Sequence, residues 1–245
     1  MKNVYTRSFE SAPPPRNASI ERGFTLAEVL ITLGIIGIVA AITMPNIIRK
    51  NRNKVLEIQF KTAYSIIQQA SYQMYMENEG DFIDFLGYPT GGGYITQYLK
   101  KYAELAPKYY KVIKNLDRTE TKEIQMYTSN GNKFTYNGSF LSFYPVILSN
   151  GMLLSFSSHT GGNIVIYVDT NGPFKKPNRY GYDLFRLEMT KNAKIIGDED
   201  TRNDTCNLYK DKGYSWDNEG TGCGRYAISD KFPHDNTKNY WNNLP

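Results

Sequence analysis

Residues 22–45 read RGFTLAEVLITLGIIGIVAAITMP, and from Phe24 to Met44 there are 21 residues of which Glu28 alone is ionisable. At about 1.5 Å of rise per residue, a helix of that length spans roughly 30 Å, the thickness of a bilayer's hydrocarbon core. The stretch reads as a membrane segment. The acid within it asks for an explanation. A carboxylate is expensive at the bilayer centre, although about 6 Å from the start of the run it reaches the headgroup region cheaply.

What precedes the run is a leader rather than a domain. Residues 1–22 carry Lys2, Arg7, Arg16 and Arg22 against Glu10 and Glu21, with APPPRNAS at 12–19, a composition unable to bury a core. An ordinary secretory signal would be cut after Ala41 in IVAAI, residues 38–42. A plain uncleaved anchor is a second reading. Flanking charge does not orient it, because four basic residues precede the run and Arg49, Lys50, Arg52 and Lys54 follow it.

A third reading starts from the register of Arg22, Gly23, Phe24, Thr25, Leu26 and Glu28. These residues resemble the amino terminus of the type IV pilin and type II secretion pseudopilin family. The resemblance implies cleavage between Gly23 and Phe24 on the cytoplasmic side by a prepilin peptidase, which also methylates the new amino-terminal Phe24. It implies two assembly residues: Glu28 at the fifth mature position, pairing with the Phe24 amine of the same or a neighbouring subunit, and a helix-perturbing Pro45 at the twenty-second. It further implies an α+β, pilin-like fold, with a long amino-terminal helix packed on a small antiparallel sheet and a disulfide-closed carboxy-terminal loop. The segments are then a leader at 1–23, a transmembrane or filament-core helix half at 24–44, an amphipathic half at 45–78, and a globular domain at 79–245 completed by that half. The implied partners are the peptidase-methylase, other pilin or pseudopilin subunits, an inner-membrane assembly platform, and lipid before extraction. The implied location is the bacterial inner membrane, single-pass with the carboxy-terminal domain outside the cytoplasm, and then a periplasmic or extracellular filament.

The chain beyond the run has its own patterning. Val55, Ile58, Ala63, Ile66, Ile67, Ala70 and Met74 recur at helical spacing among polar residues, which predicts a helix running from Phe24 to near Met76, with Gly80 as the stop signal. Pro45, lacking an amide hydrogen, is expected to kink or locally melt the helix. Residues 81–110 read as a connecting insertion holding a short helix, YITQYLKKYAEL at 94–105. Strand-like runs follow at 124–128, 140–148, 152–157 and 164–169, with Ser149-Asn150-Gly151 as a hairpin turn. Strands after a long helix suggest a sheet covering the helix stripe.

Composition narrows the function. The 245 residues have a mean hydropathy of -0.51 and a net charge of +5, with 29 basic and 24 acidic residues interspersed. That pattern lacks the basic blocks expected of a nucleic-acid binder. Cys206 and Cys223 are the two cysteines, both amid Gly, Asn and Asp, and a membrane segment upstream favours a disulfide between them outside the cytoplasm. No phosphate loop, nucleophile elbow or paired-cysteine metal motif occurs, and His159 and His234 read as surface loop residues, so an enzyme is not expected.

One stretch suggests a cation. VDTNGPFKKPNRYGYDLF, residues 168–185, places Asp169, Asn171, Asn178 and Asp183 among Gly and Pro. Closely spaced oxygen ligands around a tight turn suit calcium, whereas Asn-Gly and Gly-Pro also make plain turns capped by Asp. Some pseudopilins bind calcium in a loop near the end of their sheet, and the resemblance extends that expectation to these residues. The functional expectation is a structural filament subunit that polymerises through its helix. The alternative is a minor or tip pilin, or a membrane-tethered binding module for a ligand, secreted protein or DNA, for which 20 tyrosines supply contact surface.

Overall fold

The computed structural model describes residues 23–77, 112–115, 124–134, 145–158, 163–197, 206–209 and 220–245. The chain divides into two compact units, Met1–Asn46 and Ile47–Pro245. The leader, the insertion at 81–110 with its expected helix at 94–105, residues 140–144 of an expected strand, and His159 lie outside the described residues.

Helix α1 is Leu26–Glu77, 52 residues, with Pro45 inside it. Its ends fall within the one- or two-residue fraying of the expected span. The helix is not melted at Pro45, contrary to that part of the expectation. A proline removes one intrahelical bond and crowds the preceding turn, but long flanks of good helix formers propagate through it cooperatively. In the first unit the large apolar side chains face outward all round the helix: Phe24, Leu26 and Ile42 are 89%, 79% and 73% exposed. This helix is long and apolar enough to cross a membrane.

In the second unit α1 buries Asn53, Leu56, Phe60, Ala63, Ile66, Ile67, Ala70 and Ser71. Their spacing is a 3.6-residue stripe. Val55 and Ile58 do not belong to it: each is 53% exposed. Residues 55 and 56 lie about 100° apart around the axis, so counting Val55 as the first member turned the start of the stripe to the wrong side. The stripe in fact opens on a polar residue, Asn53, whose side-chain amide donates to the Leu244 carbonyl at 3.1 Å.

A six-stranded antiparallel sheet in the order β1-β4-β5-β6-β7-β8 packs against that stripe. The strands are β1 (Val112–Asn115), β4 (Val146–Leu148), β5 (Leu153–Ser158), β6 (Ile164–Asp169), β7 (Leu184–Met189) and β8 (Ile195–Gly197), while β2 (Met126–Tyr127) and β3 (Lys133–Phe134) pair separately. From β4 to β8 the strands form a meander. Its first hairpin turns at Ser149-Asn150-Gly151, as expected, with Gly151 at φ +88°, a conformation that favours glycine.

The strands at 124–128, 152–157 and 164–169 are found, the first only as the two residues of β2. The sequence reading missed β1, β3, β7 and β8, of which β7 is hydrogen-bonded between β6 and β8.

Both faces of the sheet are covered. Phe185, Leu187 and Met189 of β7 join Phe60, Ile67, Tyr240 and Trp241 in one core, and the Phe60 ring lies 4.4 Å from Phe185 and 5.3 Å from Trp241. Leu153, Val165, Tyr167 and Leu184 join Met126 of β2 in a second core on the opposite face. On that same face Arg186 and Glu188 are buried as an ion pair at 2.9 Å. Helix α2 (Cys223–Ser229) lies on β7 and β8, so close that a β-carbon at Gly224 would stand 2.6 Å from the Arg186 carbonyl oxygen. The architecture is the expected α+β, pilin-like one, with an additional carboxy-terminal layer of α2 and the 3-10 turn Trp241–Asn243.

Candidate functional site

The amino-terminal site is built on the first turn of α1. Thr25 precedes the helix and caps it: the Glu28 amide donates to Thr25 Oγ1 at 3.2 Å. The Glu28 carboxylate returns the contact, accepting from the Thr25 amide and the Thr25 hydroxyl, both at 2.8 Å. This is a reciprocal capping box, satisfying two groups that a helix start otherwise leaves unpaired. The Thr-x-x-Glu spacing signals it in the sequence, although the expectations for Glu28 were pairing with an amine or tolerance near the headgroups and not a cap. Gly23 and Phe24 lie just outside the helix and are exposed, and a β-carbon added at Gly23 would meet nothing within 4 Å. Nothing within the described chain therefore requires glycine there, so any requirement comes from whatever reads residues 23 and 24.

The family model for the prokaryotic N-terminal methylation motif matches residues 19–44. The amino terminus is a prepilin-type methylation motif. The match contains Gly23, Phe24 and Glu28 and stops one residue short of Pro45. No curated protein and no solved structure matches the chain. The prepilin motif implies a pilin-like or pseudopilin precursor, and what the rest of the chain does has to be read from its own geometry.

The loop between β6 and β7 brings three of the four candidate cation ligands together. Asp169 ends β6 and accepts the amides of Asn171 at 3.2 Å and Gly172 at 2.8 Å on one carboxylate oxygen. Asp183, just before β7, accepts the amide of Arg179 at 2.7 Å on one oxygen, and the amide of Asn178 at 2.8 Å and the side-chain amide of Asn171 at 3.1 Å on the other. Asn178 joins through its backbone. Its side-chain amide is directed at the carbonyls of Pro173 at 2.8 Å and Gln125 at 3.2 Å.

Both carboxylates are buried, at 1% and 0% exposure. Burial and the neighbouring Asp183 charge raise the Asp169 carboxyl well above its ordinary range, and burial pushes Asp183 up to about 6 against the hydrogen bonds that lower it. Two buried acids in one loop favour sharing a proton or taking a cation. The side-chain carbonyl oxygens of Asn171 and Asn178 are buried and receive no hydrogen bond. Two carboxylates with the unsatisfied Asn171 amide oxygen between them in sequence supply the hard oxygen chemistry that calcium takes, while the Asn178 side chain is committed to the Pro173 and Gln125 carbonyls. No group of three or more His, Cys, Asp or Glu suited to a metal occurs among the described residues.

Two further features fix this end of the domain. Cys206 and Cys223 are joined in a disulfide with Cα atoms 4.8 Å apart, both fully buried, as expected. Arg179 lies 4.2 Å over the Tyr182 ring and donates to the carbonyls of Ser129 and Leu208, tying the loop to the β2–β3 turn and to the segment 206–209 that carries Cys206. Arg179 and Tyr182 were not singled out from the sequence, because an Arg above a Tyr has no local signature. His234 is an exposed loop residue, as expected.

Proposed function

We propose that the chain is a structural filament subunit, a pilin or pseudopilin, whose mechanism is polymerisation and not catalysis. The observation that carries this reading is the prepilin motif at the start of a helix whose apolar half is exposed on every side. A helix that is apolar all round requires lipid or other helices around it, and a filament core exchanges the first for the second. Prepilin peptidase cuts between Gly23 and Phe24 and methylates Phe24. The domain then stands outside the cytoplasm, and the assembly platform draws the helix from the inner membrane into the filament. In the packed helices Glu28 is screened from water and pairs with a Phe24 amine, which favours one axial register because a buried charge left alone is strongly penalised.

The experiment is mass spectrometry of the native protein together with recovery of sheared fibres. The expected amino terminus is methylated Phe24, and Glu28→Leu, as the only copy, is inserted and cleaved but yields no filament. An amino terminus at Ile42 or an intact Met1 overturns the reading, as does normal polymerisation of Glu28→Leu for the pairing.

For the β6–β7 loop we propose calcium, held by Asp169 and Asp183 with the side-chain carbonyl oxygen of Asn171. The support is the buried acid pair together with Asn171, whose side chain contacts Asp183 and whose carbonyl oxygen has no donor. The ion would supply positive charge to that pair and so lock the turn. Its test is the melting temperature in calcium against chelator, with Asp169→Ala removing the difference.

A further inference from the structure

The β6–β7 loop presents Phe174, Lys175 and Lys176 outward. Phe174 is 70% exposed, the most exposed large apolar residue among the described residues of the second unit, and both lysines are exposed beside it. The ring is not on a loose tail. Pro173 before it is buried, the Lys175 amide donates to the Gly172 carbonyl at 3.0 Å, and the Lys176 carbonyl accepts from the Asn171 side chain at 3.4 Å. No described residue pairs with either ammonium in an ion pair. The acids nearest in sequence, Asp169 and Asp183, are buried within the loop and add no exposed negative charge.

The position of this loop in the second unit narrows its partner. Strand β7 runs along α1 with Phe185 against Phe60, while the following turn and β8 lie further along the helix, where the Gln68 side chain bonds Ala193 and Ile195. In the other direction Tyr182 lies beside Arg52, whose guanidinium carbon is 5.7 Å from its ring centre. The loop therefore leaves the sheet at the Arg52 end. Arg52 is eight residues from Met44, where the apolar run stops, and eight residues reach at most about 29 Å even when fully extended.

We propose that the Phe174-Lys175-Lys176 loop docks on the anionic surface of the membrane in which the chain is anchored, the ring entering the headgroup layer and the two ammonium groups meeting lipid phosphates. An aromatic ring flanked by cations is the chemistry of that interface, where the apolar body is buried and long basic side chains reach the headgroups. Each basic residue near an anionic leaflet adds attraction that salt screens. Docking holds the domain against the bilayer before assembly, and extraction of the helix into a filament has to break it.

The proposal rests on the membrane-anchored state proposed above, and the experiment separates the two. The full chain carrying Phe174→Trp is reconstituted in vesicles of phosphatidylglycerol and phosphatidylethanolamine, or of phosphatidylcholine alone, with brominated acyl chains as quencher. The parent chain, with native Trp216 and Trp241, supplies the background. Resistance to carbonate extraction reports the anchor independently.

Emission added by Phe174→Trp is expected to shift to the blue and be quenched in the anionic vesicles, and to lose most of that quenching in phosphatidylcholine, in high salt, or when Lys175→Glu and Lys176→Glu are combined with it. An anchored chain whose added emission is unquenched and unshifted overturns the docking proposal alone. A chain extracted by carbonate overturns the anchored state itself. Quenching that is equal in all lipids and unaffected by the lysine changes overturns the electrostatic half.

Discussion

The sharpest test of how α1 is held is a comparison of two of its side chains, Phe60 and Val55. Phe60 is 2% exposed and touches rings from β7 and the carboxy-terminal turn, whereas Val55 is 53% exposed. Truncating a buried phenylalanine costs about 3–5 kcal/mol, the lost transfer energy plus the cavity left behind. The close contacts to Phe185 and Trp241 place Phe60→Ala towards the upper part of that range, since aromatic pairs add about 0.5–1.5 kcal/mol beyond their area. For a domain of roughly 150–250 residues each kcal/mol moves the midpoint by about 2–4 °C, so a loss of about 4 kcal/mol lowers Tm by roughly 8–16 °C. Val55→Ala, a surface change, stays within about 0.5 kcal/mol. The assay is thermal unfolding of the detergent-solubilised full chain followed by near-ultraviolet circular dichroism, which reports the packing of Trp241. Equal losses for the two variants, or a larger loss for Val55→Ala, would refute the packed face and restore the stripe read from apolar residues alone.

Four other outcomes are expected. Glu28→Gln keeps an acceptor for the Thr25 amide but removes the charge, so it is cleaved yet absent from sheared fibres if pairing governs assembly; normal fibres would assign Glu28 to the cap alone. Gly23→Val leaves the domain's melting curve unchanged but blocks cleavage, seen as retained leader mass. Cys206 and Cys223 react with alkylating reagent only after reduction, and replacing both by alanine costs about 3 kcal/mol in the chain-entropy model for a loop of this order, read from the denaturation midpoint. Chelation lowers Tm of the parent chain and not of Asp169→Ala, and an identical curve with and without calcium in the parent would leave the loop a plain turn.

The parts legible in the sequence share one property: their signal is local. The prepilin motif occupies 26 contiguous residues, and β6 is an uninterrupted apolar run ended by Asn-Gly. Strand β7 was equally local, since Phe185, Leu187 and Met189 alternate with Arg186 and Glu188. It was overlooked because Leu184 and Phe185 were absorbed into the loop, and because charged residues normally mark a solvent face. Here that face is buried, and the two charges meet each other at 2.9 Å.

Asn53 failed as a core marker for a different reason. Its partner is the carbonyl of Leu244, 191 residues away, and no window of sequence contains both. The cation loop is intermediate. The positions of Asp169 and Asp183 were readable, but their meaning depends on which backbone amides the loop turns toward them, and that follows from its fold.

The same distinction separates the two surfaces proposed to carry function. Residues 23 and 24 sit outside the helix with no packing demands of their own, so their identity is free to serve a reader that scans the chain locally. Phe174 has no such signature, since an isolated Phe in a loop is as consistent with burial as with exposure. Its meaning arises only when Pro173 turns inward, Asp169 and Asp183 draw the backbone around them, and the ring is left outside beside two lysines. The hydrogen bonds of Asn171 and Asp183 fix the backbone that carries the ring, so its exposure is set by the loop and not by a loose tail. In the docking proposed above, contact with lipid covers the ring while leaving the loop intact.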